Sequence, residues 1–218
     1  MGDNYWRLGE ARLRTARPDD GGMFYEHFLE SPAEVERLFD YIGFPPSPEK
    51  TREWIAGRAA PGGGDDRRVF VIEAAESAAA PAGPTSGPAG KPAESRPGAA
   101  SLAASGGPEF LGYIDVWEAD RRTGVFKTGI KMREAHRGKG IAARAYAKVL
   151  DYYFNELRYQ KCAVYVYDFN AASRRFHEKA GFAQEGVLRR ECYTGGEYRD
   201  AVYYGLLIGE FNAGRGGR

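Results

Sequence analysis

The sequence predicts an α/β protein that folds as a single domain over residues 1–218. Two patterns alternate along the chain: short runs rich in β-branched and aromatic residues, typical of strands, and longer runs with helical spacing of apolar side chains. Hydrophobic residues make up 43% of the chain and charged residues 28%, an ordinary globular composition, and 218 residues are enough to enclose one sizeable core. These observations together predict strands and helices that share one core.

The N-terminal part begins with a strand and continues with helices. Residues 11–17 alternate polar and apolar side chains, as a half-buried strand does. Pro18, followed by two aspartates, starts a helix whose first turn carries carboxylates that suit the helix dipole. A capping box with proline at the first helical position begins a second helix at Ser31–Glu34, and Ser47-Pro48 opens a third. Residues 68–75 are the second predicted strand.

Between residues 76 and 108 the composition changes abruptly to Ala, Pro, Gly and Ser. Such a segment cannot bury enough apolar surface to offset the entropy lost on ordering. A strand resumes at Phe110, so we interpret 76–108 as a disordered insertion at the tip of a hairpin, which a fold tolerates because closure entropy grows slowly with loop length. A lid over a functional site is the alternative interpretation. The tail, 213–218, is likewise predicted to be disordered.

The C-terminal half alternates strands with two clear helices. Residues 141–158 present a broad apolar face opposite a charged one, which predicts an amphipathic helix. Asn170 is a good N-cap for the next helix, and Gly181 is placed to end it. The predicted elements of this half are strands at 110–118 and 124–132, the helix at 141–158, a strand at 162–167, the helix at 171–179, and a hairpin of strands 187–193 and 198–208.

The most informative stretch is Arg137-Gly138-Lys139-Gly140-Ile141-Ala142, which lies between a predicted strand and the N-terminus of a predicted helix. Its two glycines let the backbone approach a ligand closely, and the helix directs unsatisfied N–H groups and the positive end of its dipole at the loop. The stretch lacks the Gly-Lys-Ser/Thr ending of a Walker loop and the three glycines of the dinucleotide fingerprint. It therefore predicts a diphosphate site of another kind.

Three motifs carry a resemblance to a known family. Arg-x-x-Gly-x-Ala at 137–142 resembles the acetyl-CoA pyrophosphate motif of the GNAT (general-control-related N-acetyltransferase) superfamily, and the block from Asn170 to Phe182 resembles the family's next segment at a fitting distance. Leu-Arg-Arg-Glu from Leu188 and Gly-Glu-Tyr-Arg-Asp up to Asp200 resemble its ribosomal-protein and polyamine acetyltransferase branch. The resemblance implies a mixed, mostly antiparallel curved sheet with helices on both faces. It also implies an acetyl-CoA-dependent N-acetyltransferase.

The resemblance assigns contacts with acetyl-CoA to three segments. Residues 137–142 would hold its pyrophosphate, mainly through backbone N–H groups. The end of the preceding strand, Ile130, Lys131 and Met132, would pair with the pantetheine amides and polarise the thioester carbonyl. The remaining contacts would come from the second block: Asn170 and Ser173 touching the cofactor, and Phe176 flanking the pantetheine arm.

His177 is the predicted catalytic residue. Members of the family usually place a tyrosine seven residues after the asparagine that Asn170 matches, and this sequence has His177 there. An imidazole can protonate the leaving thiolate or take a proton from the amine, so acid, base and combined roles stay open, as does simple packing on the helix. Many relatives carry a glutamate base on the fourth strand, where this sequence has Lys127, so a direct carboxylate base is in doubt.

Carboxylates and tyrosines near the expected cleft are candidates for binding the acceptor amine. They are Glu26 and Glu30 on the first helix, Asp115 and Glu118 on the third strand, and Tyr193 and Tyr198 beside the last turn. A protein N-terminus, a polyamine and an amino sugar all stay open as acceptors. A catalytically silent acetyl-CoA sensor or scaffold is the competing function, favoured by the missing strand glutamate. A protein that binds a different diphosphate is a third hypothesis.

Composition argues against several other classes of protein. A net charge of +1 disfavours a general affinity for nucleic acid or anionic membranes, and no apolar run approaches the roughly 20 residues of a membrane span. Cys162 and Cys192 have no metal-ligand spacing, so no metal is predicted, and reduced thiols are typical of a cytoplasmic protein. A homodimer is compatible with the sequence.

Overall fold

The computed structural model describes residues 4–31, 38, 46–59, 65–75 and 107–216. The helix predicted to begin at Ser31–Glu34 lies almost wholly outside this part of the chain. So do all but the last two residues of the predicted insertion at 76–108, and residues 217–218 of the predicted tail.

Seven strands and five α-helices lie in the described residues. The strands are β1 (Ala11–Thr15), β2 (Arg68–Ala74), β3 (Phe110–Asp120), β4 (Val125–Met132), β5 (Lys161–Tyr167), β6 (Ala183–Thr194) and β7 (Glu197–Leu207). The α-helices are α1 (Gly21–Glu30), α2 (Pro48–Ala59), α3 (Ile141–Asp151), α4 (Ala171–Lys179) and α5 (Ile208–Gly216). Short 3₁₀ turns, Pro18–Asp20 and Glu134–His136, precede α1 and α3.

All seven strands form one sheet in the order β1-β2-β3-β4-β5-β7-β6. Every neighbouring pair is antiparallel except β4 and β5, which run parallel. That parallel ladder consists of the pairs Val125–Lys161, Phe126–Cys162 and Lys127–Ala163. Beyond Lys127 and Ala163 the two strands part, although β4 continues to Met132 and β5 to Tyr167. The predicted mixed, mostly antiparallel sheet is confirmed, and a gap opens in its middle.

Helices cover both faces of the sheet, as predicted. On one face, here called the α3 face, α3, α4 and α5 pack against side chains such as Phe126 and Val164 in the larger core cluster. On the other, here called the α1 face, α1 and α2 cover a smaller cluster that includes Phe24 and Ile55. Removal of this apolar surface from water is the main favourable contribution to folding. The gap between β4 and β5 therefore lies between two covered layers.

Two predicted boundaries in the C-terminal half differ from the structure. The helix predicted at 141–158 is α-helical only to Asp151 and then widens into a π-helical turn, Tyr152–Glu156. The strand predicted at 187–193 extends in both directions over the whole of β6. Most of β6 is exposed, so its ends carry little apolar pattern from which sequence analysis could locate them.

The predicted disordered tail also differs from the structure. Residues after 213 continue α5, which is helical to Gly216. The ring of Phe211 packs 5.2 Å from that of Phe154 and is buried in the larger core cluster. One anchored aromatic residue therefore holds the start of a helix whose last turn is otherwise Gly- and Arg-rich.

A buried carboxylate joins distant parts of the chain just before β2. Nε and Nη2 of Arg121 donate to Asp66 at 2.6 and 2.9 Å, and the Tyr159 hydroxyl donates at 2.8 Å. The Tyr153 hydroxyl donates to the backbone carbonyl of Asp66. The bonds from Arg121 hold the pKa of the Asp66 carboxyl below its ordinary value. Asp66 is therefore ionised and stabilising at neutral pH.

Asp66→Asn should lower the free energy of unfolding at pH 7 by about 1–3 kcal/mol, because charge-assisted hydrogen bonds are lost. The pKa of Asp66 is lower in the folded than in the unfolded state. Its contribution is therefore complete above the unfolded value near 3.9 and is lost as pH falls through the lower folded pKa. Urea unfolding at pH 7 and at about pH 3 should show the difference between parent and variant shrinking at the lower pH.

Asp65→Asn is the matched control. Asp65 pairs with Arg67, whose side chain is 51% exposed, and an ion pair this open to water contributes about 1 kcal/mol or less. Equal losses in the two variants at pH 7 would contradict a special role for the buried carboxylate.

Candidate active site

A cavity of about 450 Å³ occupies the gap between β4 and β5. Because successive side chains on a strand point to opposite faces, its path through the sheet can be traced. Thr128 and Val164 line it from the α3 face, whereas Gly129 and Tyr165 line it from the α1 face. The cavity therefore connects the two layers, and a long ligand that enters from one face can place its end at the other.

The end of β4 borders this cavity with its backbone and with two of its three predicted side chains. Ile130 and Met132 line the cavity. Lys131 points to the α1 face, where its Nζ lies 5.5 Å from the centre of the Phe28 ring. Past Lys127, β4 is hydrogen-bonded to β3 on one side and borders the gap on the other. Backbone groups on that open side can bond an extended ligand.

The loop between β4 and α3, residues 137–142, has the backbone geometry of an anion site. Gly138 and Gly140 both lie in the left-handed region, with φ of 75° and 74°. Gly140 is the N-cap of α3 and has no side chain that could bond the first helical turn. Helical bonding starts with Arg144, whose N–H donates to the Gly140 carbonyl at 3.2 Å. The N–H groups of 141–143 therefore have no intrahelical acceptor and can bind a phosphate.

Side chains of the same loop divide between the cavity, the core and solvent. Arg137 lines the cavity, and its Nε donates to the Met132 carbonyl at 3.2 Å, which ties the loop to the end of β4. Ile141 is buried in the core and fixes the start of α3, whereas Ala142 lines the cavity. Lys139 is exposed and contributes positive charge at the rim.

Helix α4 supplies the opposite wall. Asn170 is its N-cap, as predicted: Oδ1 accepts from the Ser173 N–H at 3.0 Å, and Nδ2 donates to the Leu38 carbonyl at 3.1 Å. Both the oxygen and the nitrogen of the Asn170 amide are therefore hydrogen-bonded to backbone groups of this chain. Asn170, Ser173 and Phe176 all line the cavity beside Leu38.

His177 lies in the same wall, 4% exposed, and its ring packs against those of Tyr146 and Phe182 at centroid distances of 5.7 and 5.2 Å. Its Nδ1 lies 2.9 Å from the Ser173 carbonyl, so Nδ1 carries the proton. Nε2 has no hydrogen-bond partner in the described part of the chain. Burial lowers the pKa of His177 to about 4, against the opposing effect of the bond to Ser173. The ring is therefore neutral at pH 7, with Nε2 as an acceptor.

The structure adds cavity residues that sequence reasoning does not select, among them Leu38, Trp117, Thr128, Gly129 and Tyr165. The Thr128 hydroxyl is buried and, within the described ranges, has no hydrogen-bond partner. Unpaired buried hydroxyls are rare in native proteins, so this one is suited to a polar group of a ligand. Thr128 lies one residue past Lys127–Ala163, the last pair of the β4–β5 ladder. This position depends on strand register, which a local sequence pattern does not show.

The predicted acceptor carboxylates on β3 are held by cations of this chain. Asp115 forms an ion pair with Arg58, which also donates to the Val116 carbonyl at 2.8 Å. Burial raises the pKa of Asp115 even though Arg58 opposes this effect. Glu118 pairs with Lys127, the residue at the expected glutamate position, at 2.9 Å. Neither carboxylate lines the cavity.

Tyr193, Tyr198 and Glu26 are also separate from the cavity lining. Tyr193 and Tyr198 face each other across the tip of the β6–β7 hairpin, with ring centroids 4.9 Å apart, and are 59% and 56% exposed. Glu26 is half-buried in α1, and Glu30 is the last residue of that helix. The structure therefore brings the three predicted cofactor segments to the cavity, whereas the described acceptor candidates lie outside its lining.

Metal-binding clusters and membrane-spanning helices are both absent from the described residues. In these ranges, no group of three or more His, Cys, Asp or Glu side chains could hold a metal ion. None of the helices found there has the length and apolar character needed to cross a membrane. Cys162 is buried in β5, and Cys192 is half-buried in β6.

Comparison with known proteins identifies the family. The model of the GNAT acetyltransferase domain matches residues 11–183. The uncharacterized, SPbeta prophage-derived N-acetyltransferase YokL of Bacillus subtilis is 30% identical over 216 residues, 99% of this chain and 100% of its own length. The L-amino acid N-acetyltransferase AaaT of Escherichia coli is 30% identical over 110 residues, 50% of this chain and 68% of its own.

Among solved structures, the spermidine N-acetyltransferase of Vibrio cholerae, crystallised with CoA and spermine, superposes with a TM-score of 0.70 at 19% identity. The match covers 93% of this chain and 98% of that one, and at this identity it shows the shared fold. Three observations indicate the same family: the parted strands, the glycine loop before α3 and the matches along most of the sequence. The chain belongs to the GNAT acetyltransferase family and is an N-acetyltransferase.

Proposed function

We propose that the protein transfers the acetyl group of acetyl-CoA to a primary amine by direct attack within a ternary complex. The observation that carries this proposal is the cavity that crosses the sheet between β4 and β5, with the N-terminus of α3 at its α3-face end. Such a passage lets a thioester enter from one face and meet an amine that approaches from the other.

The residues present fit acetyl-CoA. The N–H groups of 141–143 and the two positive-φ glycines suit its diphosphate, and Arg137 adds a charge beside them. The extended pantetheine arm suits the open side of β4, where backbone groups past Lys127 face the gap. A backbone N–H there can also bond the thioester oxygen, and one such donor typically contributes about 3 kcal/mol to stabilising the developing negative charge.

His177 is proposed to move the proton. Attack of the neutral amine forms the C–N bond and leaves a positive nitrogen, and loss of CoA breaks the C–S bond and leaves a thiolate. Nε2 of neutral His177 accepts the proton from nitrogen and delivers it to sulfur, so an amide and a thiol result. With its pKa near 4, His177 does not begin the reaction as a protonated acid.

A second candidate is a catalytically silent protein that binds acetyl-CoA. The observation in its favour is that Lys127 stands at the expected glutamate position and is paired with Glu118, so this strand offers no direct carboxylate base. The two candidates share the binding site and differ in whether CoA is released.

Two measurements on the full-length protein separate these candidates. Acetyl-CoA should raise the melting temperature, with a stabilisation of about 2.7 kcal/mol at 100 times its dissociation constant. Pantetheine, which lacks the diphosphate, is the matched control and should stabilise much less. Thiol detection of released CoA across a panel of primary amines then measures turnover. Stabilisation without thiol release for any amine would favour the silent binder, and no stabilisation at all would overturn both candidates.

A further inference from the structure

The acceptor end of the cavity can be assigned by elimination. Residues suited to the cofactor, including Arg137, Ala142 and Phe176, lie toward the α3 face. An acyl carbonyl held in the gap is therefore open to attack from the α1 face. There the cavity is bordered by Trp117 on β3, Gly129 on β4 and Tyr165 on β5.

Two aromatic rings bridge this end of the cavity. The rings of Trp117 and Tyr165 have centroids 6.4 Å apart, although β4 runs between their strands. They can approach because Gly129 has no side chain: a Cβ there would lie 3.1 Å from Cζ3 of Trp117. The β3–β4 register also shifts between Val116 and Glu118, so Trp117 is an extra residue in a bulge, a feature that commonly re-aims a side chain beside a functional site.

The aromatic contacts continue away from the gap. The ring centroids of Tyr203, which is half-buried, and Tyr167, which is buried, lie 5.8 and 5.7 Å from that of Tyr165, so the bridge belongs to a larger patch of rings on the same face. Flat rings bind flat apolar groups by offset or edge-to-face contacts and also attract a cation to their faces. The patch is therefore suited to an acceptor with an apolar, ring-shaped body.

The charges around the aromatic bridge argue against a polycation. Asp115 and Glu118 are paired with Arg58 and Lys127, and none of the described cavity-lining residues is a carboxylate. A second ammonium group on an acceptor would have to compete with Arg58 or Lys127 to pair with one of these carboxylates. A single amine, which is neutral when it attacks, has no such requirement.

We infer that the acceptor is a monoamine with an aromatic body, an arylalkylamine, and that Trp117 and Tyr165 determine this preference. The inference rests on the proposed acetyltransferase function and goes beyond it in naming the acceptor class. The amine enters from the α1 face, its ring packs on Trp117 and Tyr165, and its nitrogen reaches the carbonyl beside Gly129.

The test compares 2-phenylethylamine with spermidine and butylamine, following CoA release at saturating acetyl-CoA. We expect kcat/KM to be at least about 10-fold higher for 2-phenylethylamine, from aromatic contacts that butylamine cannot make. Trp117→Leu and Tyr165→Leu should each raise KM for 2-phenylethylamine by about 10-fold and leave the dissociation constant of acetyl-CoA unchanged.

Tyr5→Leu is the matched control, since Tyr5 is a surface aromatic bonded to Asp151 on α3, and its kinetics should equal those of the parent. Two leucine variants on different strands keep the test valid if one of them does not fold. Thiol release that is faster with spermidine than with 2-phenylethylamine would overturn this inference and leave the acetyltransferase proposal intact. Acetyl-CoA binding without release for any amine would overturn the acetyltransferase proposal itself.

Discussion

Replacing His177 with alanine should lower kcat for amine acetylation by about 10²- to 10⁴-fold, the range expected when a positioned proton carrier is removed. The dissociation constant of acetyl-CoA should change little, because Nε2 acts on groups that develop charge only during the reaction. Steady-state kinetics, together with acetyl-CoA titration followed by thermal shift, measure the two effects separately.

Two further variants control for packing, because His177 is buried against Tyr146 and Phe182. His177→Phe keeps an aromatic ring at this position but has no acceptor, so it should be as slow as alanine. His177→Tyr supplies a hydroxyl that can donate to the leaving thiolate and should recover part of the rate. If the Ala, Phe and Tyr variants all turn over like the parent, His177 only packs in the helix.

The pH dependence gives an independent check on the same residue. Since burial lowers the pKa of His177 to about 4, the ring is neutral throughout pH 6–9 and its own ionisation should produce no limb in kcat there. Loss of activity attributable to His177 should appear only as pH falls toward that pKa. If kcat of the parent falls on the acid side with a midpoint near pH 6.5, and this fall is absent in His177→Phe, the ring is exposed to water, contrary to the structure.

Gly140→Val should weaken acetyl-CoA binding by about 5- to 150-fold. Gly140 has φ of +74°, where a β-branched residue is strained by about 1–3 kcal/mol, so the loop must change conformation and its N–H groups turn away from the diphosphate. The core should stay intact, because the nearest atom to a Cβ there is the far end of the exposed Arg144 side chain, 3.2 Å away. Isothermal titration with acetyl-CoA measures the change.

Gly209→Val serves as the matched glycine control. Gly209 lies in α5 without a positive φ, and a Cβ added there would meet no atom within 4 Å, so acetyl-CoA affinity should equal that of the parent. Gly138→Val, at φ of +75°, should share the defect of Gly140→Val. Unchanged affinity in both loop variants would mean that the diphosphate binds elsewhere.

Local signals in the sequence predicted the backbone geometry of the loop and the helix that border the cavity. Asn170 caps α4, and Gly140 and Gly181 take the positive φ that their positions require. Caps, glycine turns and amphipathic spacing act over a few residues, so one sequence contains them. The same holds for the order of strands and helices from Phe110 to Leu207, which the structure confirms apart from their boundaries, whereas α5 was not predicted.

The proposed acceptor side could not be predicted in the same way, because it depends on strand register. Trp117 and Tyr165 are far apart along the chain and meet only because β3, β4 and β5 align with Gly129 between them. Glu118 resembles a substrate ligand in the sequence, yet the register places it against Lys127. Tyr193 and Tyr198 stand beside the last turn, but the length of the β6–β7 hairpin carries them to its exposed tip.

The short parallel ladder between β4 and β5 has a consequence for how the protein unfolds. The sheet consists of two antiparallel units, β1–β4 and β5–β7–β6, which are joined by three residue pairs. The ladder between the two units is therefore weaker than the ladders within each unit. A substrate bound in the gap as proposed would contact both units, so its binding free energy would add to the free energy needed to separate them. We therefore expect amide protons on both sides of the junction to gain exchange protection together when acetyl-CoA binds.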